Sequence, residues 1–226
     1  WIDYNYLNSS ADNGYDATSN HFGVGYERDV RDNFTLGLQY NRVVTNLKGV
    51  DSKTHQNKNH LGVYSIWTKN NWIVKSDVGV ADNGINSNRN VENVFYNASK
   101  TDGFDWWTSS KVYTPEYKGF RPYVGVSFGR DKRNGYTETG SIQSYRTVAS
   151  VNEDTNYADA GVRYEKKFNK IGLIGDVGFT TDSYRTYKAV ASYDVGTKGQ
   201  ISLALSRQEQ NSLKTDVVGL QGKLEF

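Results

Sequence analysis

The sequence has no cysteine, no methionine and only 2 prolines among 226 residues. Without cysteine there is no disulfide framework and no thiolate metal site. An excess of either charge is missing as well. The 27 Lys and Arg stand against 25 Asp and Glu, a formal net charge of +2. That balance makes no case for nucleic acid as a partner and supplies no like-charge tail. Long hydrophobic runs are also absent. Nothing approaches the ~18 consecutive apolar residues of a membrane helix, and the mean hydropathy is −0.72. That value does not exclude a membrane chain of another kind, because a barrel strand offers only alternate residues to lipid and its average stays low. No segment reads as a convincing amphipathic helix.

What the sequence does have is aromatic residues (17 Tyr, 9 Phe and 5 Trp) together with 22 Gly, a combination that suits twisted sheet and interfacial aromatic belts. Period-two alternation recurs from end to end. Twelve strands are expected, over residues 1–7, 20–27, 33–43, 60–68, 71–81, 104–113, 120–129, 156–168, 170–180, 187–195, 199–208 and 213–226. The third shows the pattern plainly, with Phe34, Leu36, Leu38 and Tyr40 set against Thr35, Gly37, Gln39 and Asn41.

The connections alternate too. Those over residues 8–19, 45–59, 82–103, 130–155, 181–186 and 209–212 are the longer set. Those over 28–32, 69–70, 114–119, 169 and 196–198 are tight. Long loops on one side and tight turns on the other are the pattern of an outer-membrane barrel, with the long ones extracellular. A β-sandwich would show it only by chance. An even strand count fits as well, since lipid offers no partner for a free sheet edge. The expected fold is therefore all-β, a 12-stranded antiparallel up-and-down transmembrane β-barrel. It forms a single domain, 1–226, in a bacterial outer membrane with both termini on the periplasmic side.

Residue roles follow from phase. In the last strand, Val218, Leu220, Gly222, Leu224 and Phe226 share one face. A terminal strand ending in an aromatic residue reads as the signal for the barrel-assembly machinery. Lys75, Asp77, Asp159, Arg163, Glu165 and Asp176 fall on polar phases and are expected to line the lumen. On the lipid side a basic residue at mid-plane would cost about 2–4 kcal/mol. Trp1, Tyr4, Tyr6, Tyr40, Trp67, Trp72, Tyr113, Tyr164 and Tyr193 lie near expected strand ends and are assigned to the aromatic girdles. Trp106 and Trp107 cannot face the same way. Glycines such as Gly37, Gly79 and Gly161 recur on inward phases, where small residues let the sheet curve. The only histidines, His21, His55 and His60, show no spacing for a metal or catalytic site, so no metal, cofactor or enzymatic activity is expected. The polar loops over 82–100 and 130–152 are places where a surface partner could bind.

Several segments, in order, carry a family resemblance. They are the Trp-led strand from Trp1 to Tyr6, the stretch HFGVGYERDVRDNFTLGLQY over 21–40, FRPYVGVSFGR over 120–130, YTETG over 136–140, ADAGVRYEKKF over 158–168, and the ending at Phe226. Together they resemble the translocator β-domain of autotransporters, the type V secretion proteins. The resemblance implies a twelve-stranded monomeric pore plugged by a helix that precedes the first strand, with a passenger before that helix. This sequence starts at Trp1 without a signal peptide. It is expected to be a piece of a longer precursor, with helix and passenger lying outside it. The implied partners are outer-membrane lipid, the assembly machinery, and the chain's own N-terminal passenger or linker. The implied function is support of passenger secretion and surface display. The alternative is a stand-alone structural, adhesive or porin-like barrel whose extracellular loops bind a partner.

Overall fold

Alternation gives an extended chain one apolar face and one polar face, and in this chain the resulting sheet closes on itself. The computed structural model describes residues 1–11, 14–49, 51–91, 95–140 and 147–225. The first seven strands are β1 (Ile2–Ala11), β2 (Tyr15–Arg31), β3 (Phe34–Lys48), β4 (Ser52–Lys69), β5 (Trp72–Val91), β6 (Phe95–Tyr113) and β7 (Phe120–Arg133). Three two-residue strands follow: β8 (Tyr136–Thr137), β9 (Thr139–Gly140) and β10 (Thr147–Val148). The ring resumes with β11 (Val151–Phe168), β12 (Ile171–Thr180), β13 (Arg185–Val195), β14 (Gly199–Gln210) and β15 (Leu213–Leu224).

The twelve long strands pair antiparallel with their neighbours in order. β1 meets β15 in unbroken register from Ile2↔Gly222 to Ser10↔Lys214. That last pairing leaves no free edge in the ring. It is the condition a sheet must meet in hydrocarbon, where water cannot satisfy an exposed row of N–H and C=O groups.

Turn chemistry sets the tight side. Between β4 and β5, Asn70 (φ 49°) and Asn71 (φ 65°) both take left-handed backbone. This is the two-residue hairpin whose twist matches that of its strands, and asparagine tolerates it better than most residues.

The long connections expected from the sequence are mostly strand instead. β2, β4, β5, β6 and β11 run 17, 18, 20, 19 and 18 residues. A tilted membrane strand needs only about 9–11. β1, β12 and β13, at 10, 10 and 11 residues, stay close to that length. The apolar period stops where the chain leaves lipid, because above the membrane both faces meet water. Backbone pairing continues regardless. It is supported by cross-strand hydroxyl pairs such as Ser19–Thr45 (2.8 Å) and Thr54–Ser87 (2.9 Å). At ~3.4 Å per residue, β5 stands roughly 30 Å taller than its shortest counterparts. The result is a crown of hairpins over one side of the ring.

Between β7 and β11 the chain folds back onto this crown. β9 adds to β6 at Ala98↔Thr139, and β8 pairs with β10. The bidentate pair of Arg89 with buried Glu138, at 3.2 and 2.7 Å, ties the segment down.

Burial is inverted relative to a water-soluble domain. The large apolar side chains are the exposed ones: Ile2, Leu38, Leu61, Val78, Val124, Leu173, Leu203 and Leu220 all point outward with about half their surface free. An exposed apolar patch of this extent has no place in water.

Candidate functional site

The inner wall is the part of the molecule with chemistry. Its first device is a set of aromatic rings laid over glycines on the neighbouring strand. Tyr64 stands directly opposite Gly37, Trp107 opposite Gly79, and Tyr123 opposite Gly161. A Cβ at any of these glycines would overlap the facing ring. The indole of Trp1 lies over Gly25 in the same manner. Each ring therefore fills the place of a missing side chain and lies flat along the wall.

Polar ends of these rings anchor a hydrogen-bond network. Trp1 Nε1 donates to the Tyr64 hydroxyl at 3.0 Å, and that hydroxyl donates to Glu27 at 2.6 Å. Glu27 in turn pairs with Lys223 at 2.6 Å, joining β2 to the last strand. Trp107 Nε1 donates to Asp77 at 2.7 Å, and Ser109 donates to the same carboxylate. The Tyr123 hydroxyl donates to Asp176 at 2.8 Å. Buried charges need such partners. Nearer the hairpins, Lys58 pairs with the buried Asp105, and His60 meets the Trp107 ring edge-on at 5.3 Å.

A cavity of about 500 Å3 opens between β5, β6, β7 and β11–β14. Of the expected lumen residues, it gathers Lys75, Asp159, Arg163 and Asp176. Asp77 is held on the same wall by Trp107. Glu165 stands at the margin, 3.6 Å from Arg163. Lys111 pairs with Asp159 at 2.5 Å, and its Nζ lies 4.3 Å from the Tyr123 ring centroid. Among the described residues, no group of three or more His, Asp or Glu side chains could hold a metal ion.

The residues assigned to the girdles divide. Tyr4, Tyr6, Tyr40, Trp67, Trp72 and Tyr193 are exposed on the outer face. Tyr164 packs outside against Phe120, with ring centroids 4.9 Å apart. Trp1 and Tyr113 point into the lumen instead. Trp1 shares the phase of Asp3, and Tyr113 shares that of Lys111, so strand parity overrides position near a strand end. The Tyr113 ring is buried against Tyr123 at 5.2 Å. Trp106 is exposed outside while Trp107 faces inward, as their adjacency demands.

Sequence reasoning passed over Tyr64, Tyr123, Glu27, Lys58, Asp105 and Lys188 as lumen residues. The available signal was parity: Tyr123 sits between outward Pro122 and Val124. In the last strand, Val218, Leu220 and Leu224 are exposed on the outer face. Gly222 faces open space. Phe226 lies outside the described residues.

Comparison with known proteins agrees with this geometry. The sequence profile of the family described as Autotransporter beta-domain matches residues 2–224. Outer membrane protein A of Rickettsia rickettsii is 25% identical over 209 residues, covering 84% of this chain and 9% of that protein. The chain thus spans about a tenth of the length of the curated relatives it matches. Among solved structures, the translocator domain of the autotransporter NalP from Neisseria meningitidis superposes with a TM-score of 0.88. It is 11% identical, and the match covers 100% of this chain and 87% of that one. The β-domain of the Bordetella autotransporter BrkA gives 0.76 at 11% identity, covering 100% and 98%. At these identities the structural matches speak for the fold.

Proposed function

The chain belongs to the autotransporter β-domain family, and from that premise we propose that it is the outer-membrane translocator and anchor of a passenger encoded N-terminal to it. The observation that carries this reading is the closed ring of twelve strands with an apolar exterior and a polar, charged lumen. The exterior holds the ring in the bilayer by the same burial that would drive a soluble core. The lumen is wetted by side chains that can hydrogen-bond an extended or helical polypeptide. The crown faces outward from the cell and the tight turns face the periplasm. The face of Val218, Leu220, Gly222 and Leu224, ending in Phe226, presents the last strand to the assembly machinery before β1 closes on it. Trp1, Tyr64, Glu27 and Lys223 lock that closure from inside. The barrel itself catalyses no chemical step.

The test is the intact mass of the protein purified from outer membranes, set against its coding length. A precursor several times longer than 226 residues, with an upstream passenger cleaved or still attached, is the expected result. A precursor of little more than a signal peptide plus this barrel overturns the reading. It would leave a small adhesive barrel, a role for which the tall polar hairpins of β2–β6 are suited.

A further inference from the structure

Around one cavity the lumen wall carries more cations than carboxylates. Lys75 on β5 stands directly opposite Lys111 on β6, an arrangement that destabilises a sheet unless a counter-charge intervenes. Lys111 has one, reaching past Gly125 to Asp159. Among the described residues, neither Lys75 nor Lys188 has a carboxylate within ion-pair distance. Arg121, Arg163, Asp176 and Lys188 form a second cross-strand row, each directly opposite the next. Asp176 in that row already accepts the Tyr123 hydroxyl; Arg121 turns to Glu116 and the Asn71 and Thr114 carbonyls, and Arg163 reaches Glu165 only at 3.6 Å. The Nε of Arg163 is buried without a hydrogen-bond partner. Lys75 and Arg163 lie over the same Tyr113 ring, at 5.8 and 5.9 Å from its centroid, so the two cationic heads converge on one ring. Both border the cavity of about 500 Å3, whose charged lining is Lys75, Lys111, Arg163 and Lys188 against Asp159 and Asp176.

We propose that Lys75, Arg163 and Lys188 form a carboxylate-binding site in the lumen wall. An Asp or Glu side chain of polypeptide held in the lumen occupies it, and free small anions occupy it when the lumen is open. A guanidinium edge matches a carboxylate in shape and charge, and the two ammonium groups add compact positive charge without a geometric demand. Low-dielectric walls around an excess of positive charge focus the field onto the cavity. The site rests on the reading of the lumen as the place where a passenger's linker resides.

Two measurements on the full-length protein purified from outer membranes test it. In the first, a water-soluble carbodiimide joins amines to carboxylates in contact, and mass spectrometry locates the bonds. If a linker fills the lumen, the expected product links Lys75 or Lys188 to an Asp or Glu upstream of β1. A filled lumen without that link overturns the site. In the second, the protein is placed in planar bilayers under a KCl gradient at about 0.01 M, where screening is weak. An open barrel is expected to prefer chloride, and the preference falls several-fold in K75Q/K188Q. A cation preference, or one that the double variant leaves unchanged, overturns the site. The heat-shifted band of a folded barrel on gels confirms each variant, and K188Q alone serves if the double variant lacks that band. Passenger display on the same cells separates the two ideas. Display with both measurements failing overturns the carboxylate site alone, while absence of display in the wild type overturns the translocator reading.

Discussion

Leu203 sits near the middle of β14, flanked on the outer face by Ile201 and Leu205, all three about half exposed. Two residues beyond Leu205, on the same outward phase, the sequence already carries Arg207, paired with Asp216 at 2.7 and 2.9 Å. One strand therefore tests depth directly. L203R moves a guanidinium from a tolerated rim position toward the bilayer centre, where a basic side chain costs about 2–4 kcal/mol. At ~1.4 kcal/mol per tenfold, the folded-to-unfolded ratio should fall roughly 30- to 1000-fold. L205R, closer to Arg207, should lose less. Q208R places the same group on the inward phase, at the wetted lumen cavity, and should cost less than L203R even though it joins other cations there. Urea titration of the barrel refolded in lipid vesicles, followed by tryptophan fluorescence, gives the three free energies. The reasoning fails if L203R and Q208R cost the same, because the outer face of β14 would then not be in hydrocarbon. It also fails if L205R costs more than L203R, because the membrane would then be centred elsewhere along the strand.

Three further outcomes follow from the inner wall and the crown. G37V and G161V each push a side chain into the ring of Tyr64 or Tyr123, and overpacking should destabilise the barrel by about 1–3 kcal/mol; the same titration measures it, and Y64A should relieve part of the cost in G37V. R89A removes the bidentate partner of buried Glu138 and should loosen the segment between β7 and β11, seen as faster protease cleavage within residues 134–150 on intact cells while the heat-shifted band stays unchanged. The Arg130 guanidinium, bonded to Asp154 at 2.6 and 3.2 Å, holds that carboxyl below the usual carboxylate range. A lowered folded value means the pair stabilises the crown above the ordinary carboxylate pKa of about 3.9 and stops doing so as pH falls through the lower folded value. The difference in pepsin susceptibility between wild type and D154N should therefore shrink with falling pH, and added salt should shrink it too, because the pair is exposed.

The parts of this molecule that were legible in its sequence are those where one face of a strand meets lipid. Phe34, Leu36, Leu38 and Tyr40 announce β3 because hydrocarbon tolerates nothing else at alternate positions, and the same constraint fixed the strand number and the closure. The tops of β4, β5 and β6 were read as loops because water wets both their faces. A two-sided polar strand such as residues 82–91 carries no period, although its backbone pairs as regularly as the rest. The lumen was legible by sign but not by partner. Phase alone put Lys75, Asp77 and Arg163 inside, whereas which charge meets which depends on register between strands far apart in sequence, as Glu27 and Lys223 show. Trp1 and Tyr113 mark where two rules compete. Aromatic residues near strand ends favour the interface, but a side chain two residues from an inward charge points inward whatever its chemistry, and the facing glycine or ring then supplies the space it needs. In a barrel wall, parity is imposed by every peptide bond in the strand, while interfacial preference is a property of one side chain, so parity prevails when they conflict.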